Sequence, residues 1–213
     1  MGSYIKGILG NFSGKIGTVI GSNWKSINYM RSLSGKRKGM PSSAQVEQQL
    51  KFALMLRFHE AFQPLLNLTF AKSSKDMTPT NYAMGRNIKA AIKGVYPEFS
   101  IDYHKVLLSK GKLHNAGAPG AEGNGAGKVK FSWLDNSGDN DMAYNDDKAV
   151  LIAYCPETNQ SVYTLNGGIR SAENAILNVV LFSGKTVEAW IAFVTKDGSK
   201  FSDSVYLGNV MVE

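Results

Sequence analysis

The stretches VEAWIAFVT (187–195) and SDSVYLGNVMV (202–212) flank the turn sequence Lys196-Asp197-Gly198. β-Branched and aromatic residues dominate both stretches, as is typical of strands joined in a hairpin. Four earlier runs share this character: KVKFSW (128–133), KAVLIAY (148–154), QSVYTL (160–165) and AILNVVLF (175–182). Turn clusters separate the runs, so the sequence predicts an antiparallel β-sandwich over residues 128–213. Trp133 and Trp190 are predicted to anchor its core.

The N-terminal part combines a hairpin pattern with two helix patterns. KIGTVIGSNWKSINYMRS (15–32) alternates in the period of a strand and is interrupted by a polar segment, which predicts a β-hairpin. A first helix is predicted from the cap residue Ser42 and a second from Thr78 to Gly94, with Pro64 kinking or ending the first. Apolar residues surround much of the first helix, so we expect it to be buried on more than one side, against a second domain or another subunit.

These patterns predict an α+β, β-rich chain of three parts. The first part, residues 1–113, holds the hairpin, the two helices and a short strand at 103–108. The second, residues 114–127, contains AGAPGAEGNGAG and is predicted to be a mobile Gly-rich loop. The third part is the sandwich, residues 128–213.

Composition favours a folded protein of the cytoplasm. Apolar residues make up 43% of the 213 residues, and unbroken apolar stretches such as 189–194 are far shorter than the roughly 20 residues of a membrane span. No signal peptide is visible. The single Cys155 excludes an internal disulfide and fits a reducing compartment. We expect no membrane span and a cytoplasmic location, with non-classical export or incorporation into a virion left open.

Charge is distributed unevenly along the chain. Residues 1–113 hold 17 lysines and arginines against 5 acidic residues, whereas residues 114–213 hold 7 against 12. Such asymmetry suits contact with nucleic acid, and it equally suits attraction between opposite ends of neighbouring copies.

A search for chemistry yields only a weak metal candidate. Asp135, Asp139, Asp141 and Asp146 have the spacing of oxygen ligands in a calcium loop. Asn140 stands where glycine is usual and an aspartate ends the loop where glutamate is usual, so a solvated acidic turn is favoured. His59, His104 and His114 lie far apart, and no nucleophile motif is present. The sequence predicts no cofactor and no catalytic residue, and hence not an enzyme.

A family resemblance follows from two N-terminal strings. GKIGTVIGSNWKSINYMRS (14–32) and AQVEQQLKFALMLRF (44–58) resemble the signature of an uncharacterised family found in Bacteroidota, and the C-terminal runs are similar to it as well. One departure is Met40-Pro41-Ser42-Ser43 at the helix start. The resemblance implies membership without supplying an activity or a ligand. The C-terminal part also resembles an immunoglobulin or fibronectin type III sandwich.

These observations leave three hypotheses for function. The leading one is a non-catalytic assembly or binding protein, a homo-oligomer or partner of another protein, which self-associates through its N-terminal strands and helix. The alternative is nucleic-acid binding by basic and aromatic residues, namely Trp24, Lys25, Tyr29, Arg31, Lys36, Arg37 and Lys38. A weaker alternative is a calcium-stabilised adhesion domain.

Overall fold

Two units make up the chain: residues 1–42 and residues 43–213. The structure, a computed structural model, describes residues 3–4, 12–24, 27–35, 39–73, 77–138 and 142–213. The predicted boundary at residue 113 is wrong, because the helices belong to the same unit as the sandwich.

Unit 1 is an antiparallel sheet with the strand order β1-β2-β3-β4. Its strands are β1 (Ser3–Tyr4), β2 (Phe12–Ile16), β3 (Val19–Trp24) and β4 (Ile27–Ser32). Ile16 pairs with Val19 across a two-residue turn that starts at Gly17, where φ is +59°. A left-handed residue at this position suits the right-handed twist of a hairpin. Strand β3 also pairs antiparallel with β4, from Val19 with Ser32 to Trp24 with Ile27, and this pair confirms the predicted hairpin.

The described part of unit 2 contains a seven-stranded antiparallel sandwich. A three-stranded sheet has the order β11-β8-β7, and a four-stranded sheet has the order β10-β9-β12-β13. The strands are β7 (Gly117–Gly123), β8 (Lys128–Leu134), β9 (Lys148–Cys155), β10 (Gln160–Thr164), β11 (Asn174–Asn178), β12 (Thr186–Val194) and β13 (Val205–Met211). The α+β class with a C-terminal sandwich is confirmed.

A helical layer covers the outer face of the four-stranded sheet. It comprises α1 (Ser43–Glu60), α2 (Gln63–Thr69) and α3 (Pro79–Ala90), followed by the small hairpin of β5 (Ile92–Val95) and β6 (Glu98–Ile101). Helix α1 ends at Glu60 because the ring of Pro64 would clash with the carbonyl four residues earlier. The first predicted helix is thus two helices. The Thr78 hydroxyl accepts a hydrogen bond from the Asn81 N–H at 3.2 Å and caps α3 as predicted.

The three layers enclose two hydrophobic cores. Along β9, Ala149, Leu151 and Ala153 face the other sheet, whereas the alternating Val150 and Ile152 face the helices. A strand buried on both faces is expected to be apolar at nearly every position. Both predicted anchors are buried: Trp133 lies between the sheets, and Trp190 lies beneath the helices.

Three predicted local structures are wrong. The Gly-rich segment is mostly not a loop, because it forms β7, which pairs with β8. Its small residues allow β7 to approach β13 closely: a Cβ added at Gly123 would lie only 2.8 Å from the Met211 carbonyl oxygen. The strand expected at 103–108 is a short 3₁₀ turn (Tyr103–Lys105) followed by extended chain, since the Asn87 side chain takes both backbone hydrogen bonds of Leu107. Helix α3 ends before Gly94, because β5 begins at Ile92.

Candidate functional site

One face of the unit 1 sheet gathers the predicted interaction residues that the structure describes. Trp24 pairs with Ile27, Ser22 with Tyr29, and Ile20 with Arg31. Paired residues share a face, and so do residues two apart along a strand. Trp24, Tyr29 and Arg31 therefore lie on the same face, where Trp24 is 46% and Tyr29 43% exposed.

A second basic residue joins this face through the neighbouring strand. Lys15 of β2 pairs with Ile20, which places Lys15 and Arg31 on either side of it. Neither cation forms an ion pair with a carboxylate among the described residues. Four other predicted residues, Lys25, Lys36, Arg37 and Lys38, lie outside the described residues.

The opposite face of the same sheet also exposes large apolar side chains. Ile16 pairs with Val19, and Met30 pairs with Gly21, two residues further along β3. Met30 is 71% exposed, and both Ile16 and Val19 are more than a third exposed. The Phe12 ring covers Gly21, where a Cβ would lie 2.6 Å from the ring carbon Cδ2. Both faces thus present large apolar groups to solvent, which is unusual for a small sheet.

The outer edge of β4 is a third interaction feature. Strand β4 is the last strand of its sheet and pairs only with β3 in the described part of the chain. The Leu33 N–H donates to the Thr18 carbonyl at 2.7 Å, which sets the alternation of hydrogen-bonded pairs. By this alternation, Tyr29 and Arg31 direct their backbone polar groups toward β3, whereas Asn28 and Met30 direct theirs outward.

Helix α1 adds an apolar strip to the surface of unit 2. Phe52 and Leu56 lie one turn apart and are 48% and 42% exposed. Only Met55, Phe58 and His59 of the helix are buried. The second apolar side of α1 therefore faces solvent within the described chain and is not buried against another domain there, while its burial against another subunit stays a prediction.

The acidic loop behaves as a turn where it is described. Asp135 accepts a hydrogen bond from the Ser137 N–H at 3.0 Å, and Asp146 forms an ion pair with Lys196 at 3.5 Å. Asp139 and Asp141 lie outside the described residues. Across the residues that the structure describes, no three histidine, cysteine or acidic side chains form a group that could hold a metal ion.

Two titratable side chains of unit 2, His59 and Tyr206, have structural partners. His59 lies 3.0 Å from the Asn87 amide nitrogen, and burial lowers the His59 pKa to about 4. The Tyr206 hydroxyl donates to Glu188 at 2.5 Å, and burial together with this carboxylate raises the Tyr206 pKa. A histidine held neutral and a phenol held protonated suit packing rather than proton transfer at neutral pH.

These features define an α+β protein in which a sandwich with a helical layer follows a small exposed sheet. No helix in the described ranges is long and apolar enough to cross a membrane. The chain belongs to the Family of unknown function (DUF6266), whose family model matches residues 11–208. The predicted membership of an uncharacterised family is confirmed, and occurrence in Bacteroidota stays a prediction.

Comparison with other proteins adds a distant structural likeness. The chain is similar to the fibronectin type III domain of the human collagen alpha-1(XX) chain, with 9% sequence identity and a TM-score of 0.33. The match covers 47% of this chain and 86% of that domain. Curated proteins yield no significant match. The assignment of the sandwich rests on its own strand order.

Proposed function

We propose that the protein is a non-catalytic assembly component that self-associates through unit 1, with a second copy of the same chain as the partner. The observation that carries this proposal is the unit 1 sheet, which exposes large apolar side chains on both faces and leaves the outer edge of β4 unpaired among the described residues. A two-faced apolar sheet gains stability when another chain covers it, and an open edge can accept another strand.

The free, buried Cys155 suits a cytoplasmic location.

Two further features support a second copy as the partner. Residues 1–42 hold seven lysines and arginines and no acidic residue, whereas residues 43–213 hold 17 basic and all 17 acidic residues. Contact between unlike parts of two copies is therefore electrostatically more favourable than contact between two copies of unit 1. The exposed strip of Phe52 and Leu56 offers an apolar surface close in sequence to unit 1. Charge then selects the orientation of the contact, and apolar burial supplies its affinity.

The test is the molar mass of the full-length chain in solution, measured by size-exclusion chromatography with light scattering over a range of concentrations. Met30→Lys places a charge on the apolar face at the edge strand, and we expect it to shift oligomer toward monomer. Met40→Lys is the matched control, because Met40 is 97% exposed and lies outside the sheet. A monomeric unaltered chain, or equal masses for both variants, would contradict the proposal.

A third variant separates strand addition from packing on the sheet face. Met30→Pro removes an N–H that points away from β3 and leaves the hydrogen bonds of Tyr29 and Arg31 to β3 in place. Loss of the oligomer in Met30→Pro, with unchanged circular dichroism, indicates that a second copy adds a strand at this edge. If only Met30→Lys dissociates the oligomer, the contact is made by the face.

Nucleic-acid binding is a second candidate, favoured by the position of Trp24, Tyr29, Arg31 and Lys15 on one face. Aromatic groups stack on bases, and flanking cations neutralise phosphates. Binding of a single-stranded oligonucleotide, followed by Trp24 fluorescence in a Trp133→Phe/Trp190→Phe background, should weaken steeply between 50 and 200 mM salt. An affinity that does not change with salt would exclude this candidate.

A further inference from the structure

A lysine-rimmed cavity lies in unit 2. Its volume is about 940 Å³, and it opens where the end of α2, residues 110–112 and the ends of β9 and β12 meet. This volume lies near the upper end of the roughly 300–1,000 Å³ typical of small-molecule sites. All of its described lining residues belong to unit 2.

The floor of the cavity is aliphatic. It is formed by Leu68 of α2, Leu165 after β10 and Val194 at the end of β12, with Met142 and Phe201 beside them. Leu68 is half exposed even though it sits beside the core. Apolar side chains held open to solvent in a concave surface favour a ligand with a hydrocarbon body.

The rim of the cavity is strongly basic. Six lysines from separate segments line it: Lys72, Lys110, Lys112, Lys148, Lys196 and Lys200. The described lining contains no aspartate or glutamate. This concentration of charge stands out because residues 114–213, which supply three of these lysines, are acidic overall.

Most of these lysines have no carboxylate partner. Lys110 lies 4.0 Å from Asp203, and Lys196 lies 3.5 Å from Asp146. The other four form no ion pair within the described part of the chain. Like charges around one concave surface repel each other and create a positive potential that attracts an anion. An anionic occupant would relieve this repulsion.

We propose that this cavity binds a single-chain anionic amphiphile, with its carboxylate or phosphate head at the lysine rim and its alkyl chain on the aliphatic floor. A nucleotide fits the lining less well, because Phe201 is the lone aromatic ring among the described lining residues and a base needs a stacking surface. The proposal is independent of self-association, since none of its residues lies in unit 1.

The binding test compares probes on the full-length chain by calorimetry, below their micelle-forming concentrations. Dodecanoate and dodecyl phosphate carry the two candidate head groups on a twelve-carbon chain. Octanoate has a shorter chain, dodecyl maltoside has a neutral head group, and inorganic phosphate has no chain. We expect dodecanoate to bind at least about tenfold more tightly than octanoate, because its four additional methylenes bury more apolar surface on the aliphatic floor. The stronger of the two anionic C12 probes identifies the head group.

Paired substitutions test the rim. Lys72→Gln/Lys200→Gln removes two exposed, unpaired rim charges, and we expect about tenfold weaker binding of the anionic C12 probes, as for loss of hydrogen bonds to a charged group. Lys89→Gln/Lys93→Gln is the matched control, since it changes net charge equally at exposed positions outside the cavity. Leu68→Gln should weaken the C12 probes and leave octanoate almost unchanged.

Four results would overturn the proposal. They are no binding of either anionic C12 probe, equal binding of dodecyl maltoside, equal binding of inorganic phosphate and dodecyl phosphate, and equal weakening by the rim pair and the control pair. Circular dichroism of each variant shows whether the fold is retained, and Leu68→Gln gives a second test if the lysine variant is unstable. Binding that also survives Met30→Lys would show that the cavity acts without assembly.

Discussion

Acidification is predicted to destabilise unit 2 through His59. Asn87 accepts a hydrogen bond from the Leu107 N–H and donates one to the Leu107 carbonyl, both at 3.0 Å, so its amide orientation is fixed. The second amide hydrogen therefore points at His59 Nε2, 3.0 Å away, which must accept it. Protonation of His59 would place two N–H groups opposite each other, in a site where the histidine is 1% exposed.

The size of the effect follows from the His59 pKa, which burial lowers from 6.5 to about 4. The neutral form is favoured in the fold, so this stabilisation is complete above pH 6.5 and is lost as pH falls from 6.5 toward 4. Linkage gives a loss of about 2 kcal/mol between pH 7 and pH 5 from this residue alone. We expect the urea midpoint of the transition to fall accordingly, followed by the fluorescence of buried Trp133 and Trp190.

The control is His59→Leu, which removes the titrating group and keeps an apolar body of similar size. This variant should be less stable at pH 7, because one Asn87 hydrogen loses its acceptor at a cost of roughly 1–3 kcal/mol. Its stability should nevertheless change less between pH 7 and pH 5 than that of the unaltered chain. Equal pH dependence in the two proteins would refute the reasoning and assign the acid sensitivity to carboxylates.

Two other predictions concern unit 2. Asp147→Asn should lower the free energy of unfolding in urea by roughly 3 kcal/mol, because it leaves the buried charge of Arg170 unpaired. The double variant Asp147→Leu/Arg170→Met removes both charges and should recover part of this loss. A loss below about 1 kcal/mol for Asp147→Asn would contradict the prediction. Gly127→Ala should lower the free energy of unfolding more than Gly125→Ala in the same assay. Both residues have positive φ, but only at Gly127 would an added Cβ meet the Val180 backbone, at 2.7 Å. Equal losses for the two variants would show that the backbone relaxes around the added methyl group.

Local sequence patterns predicted the strands that pair with near neighbours. The runs at 128–133, 148–154, 160–165 and 187–195 all lie on observed strands, because alternating or continuous apolar runs between turn residues are a local signal. The cap at Thr78 is local in the same way. The break before Pro64 was anticipated as a kink or an end, and two helices are observed.

Features that depend on distant contacts were not predicted. Strand β7 is rich in glycine and alanine, and its extended form depends on pairing with β8 and on close approach to β13. The backbone at Leu107 is held by Asn87, twenty residues earlier, and not by a strand partner. The lysine rim could not be predicted from the sequence either, because its lysines come from separate segments and form no local motif.

One signal in the sequence does report the third layer of unit 2. KAVLIAY and VEAWIAFVT are too continuously apolar for sandwich strands with one solvated face, since such strands alternate between apolar and polar positions. Their excess apolar residues, including Val150, Ile152 and Trp190, meet the helices. The helical layer therefore occupies one outer face of the sandwich and removes it from the surface. Within unit 2, contacts with other molecules are left to the outer face of the three-stranded sheet, the outer surface of the helices and the strand ends. It is at the strand ends beside α2 that the lysine-rimmed cavity opens.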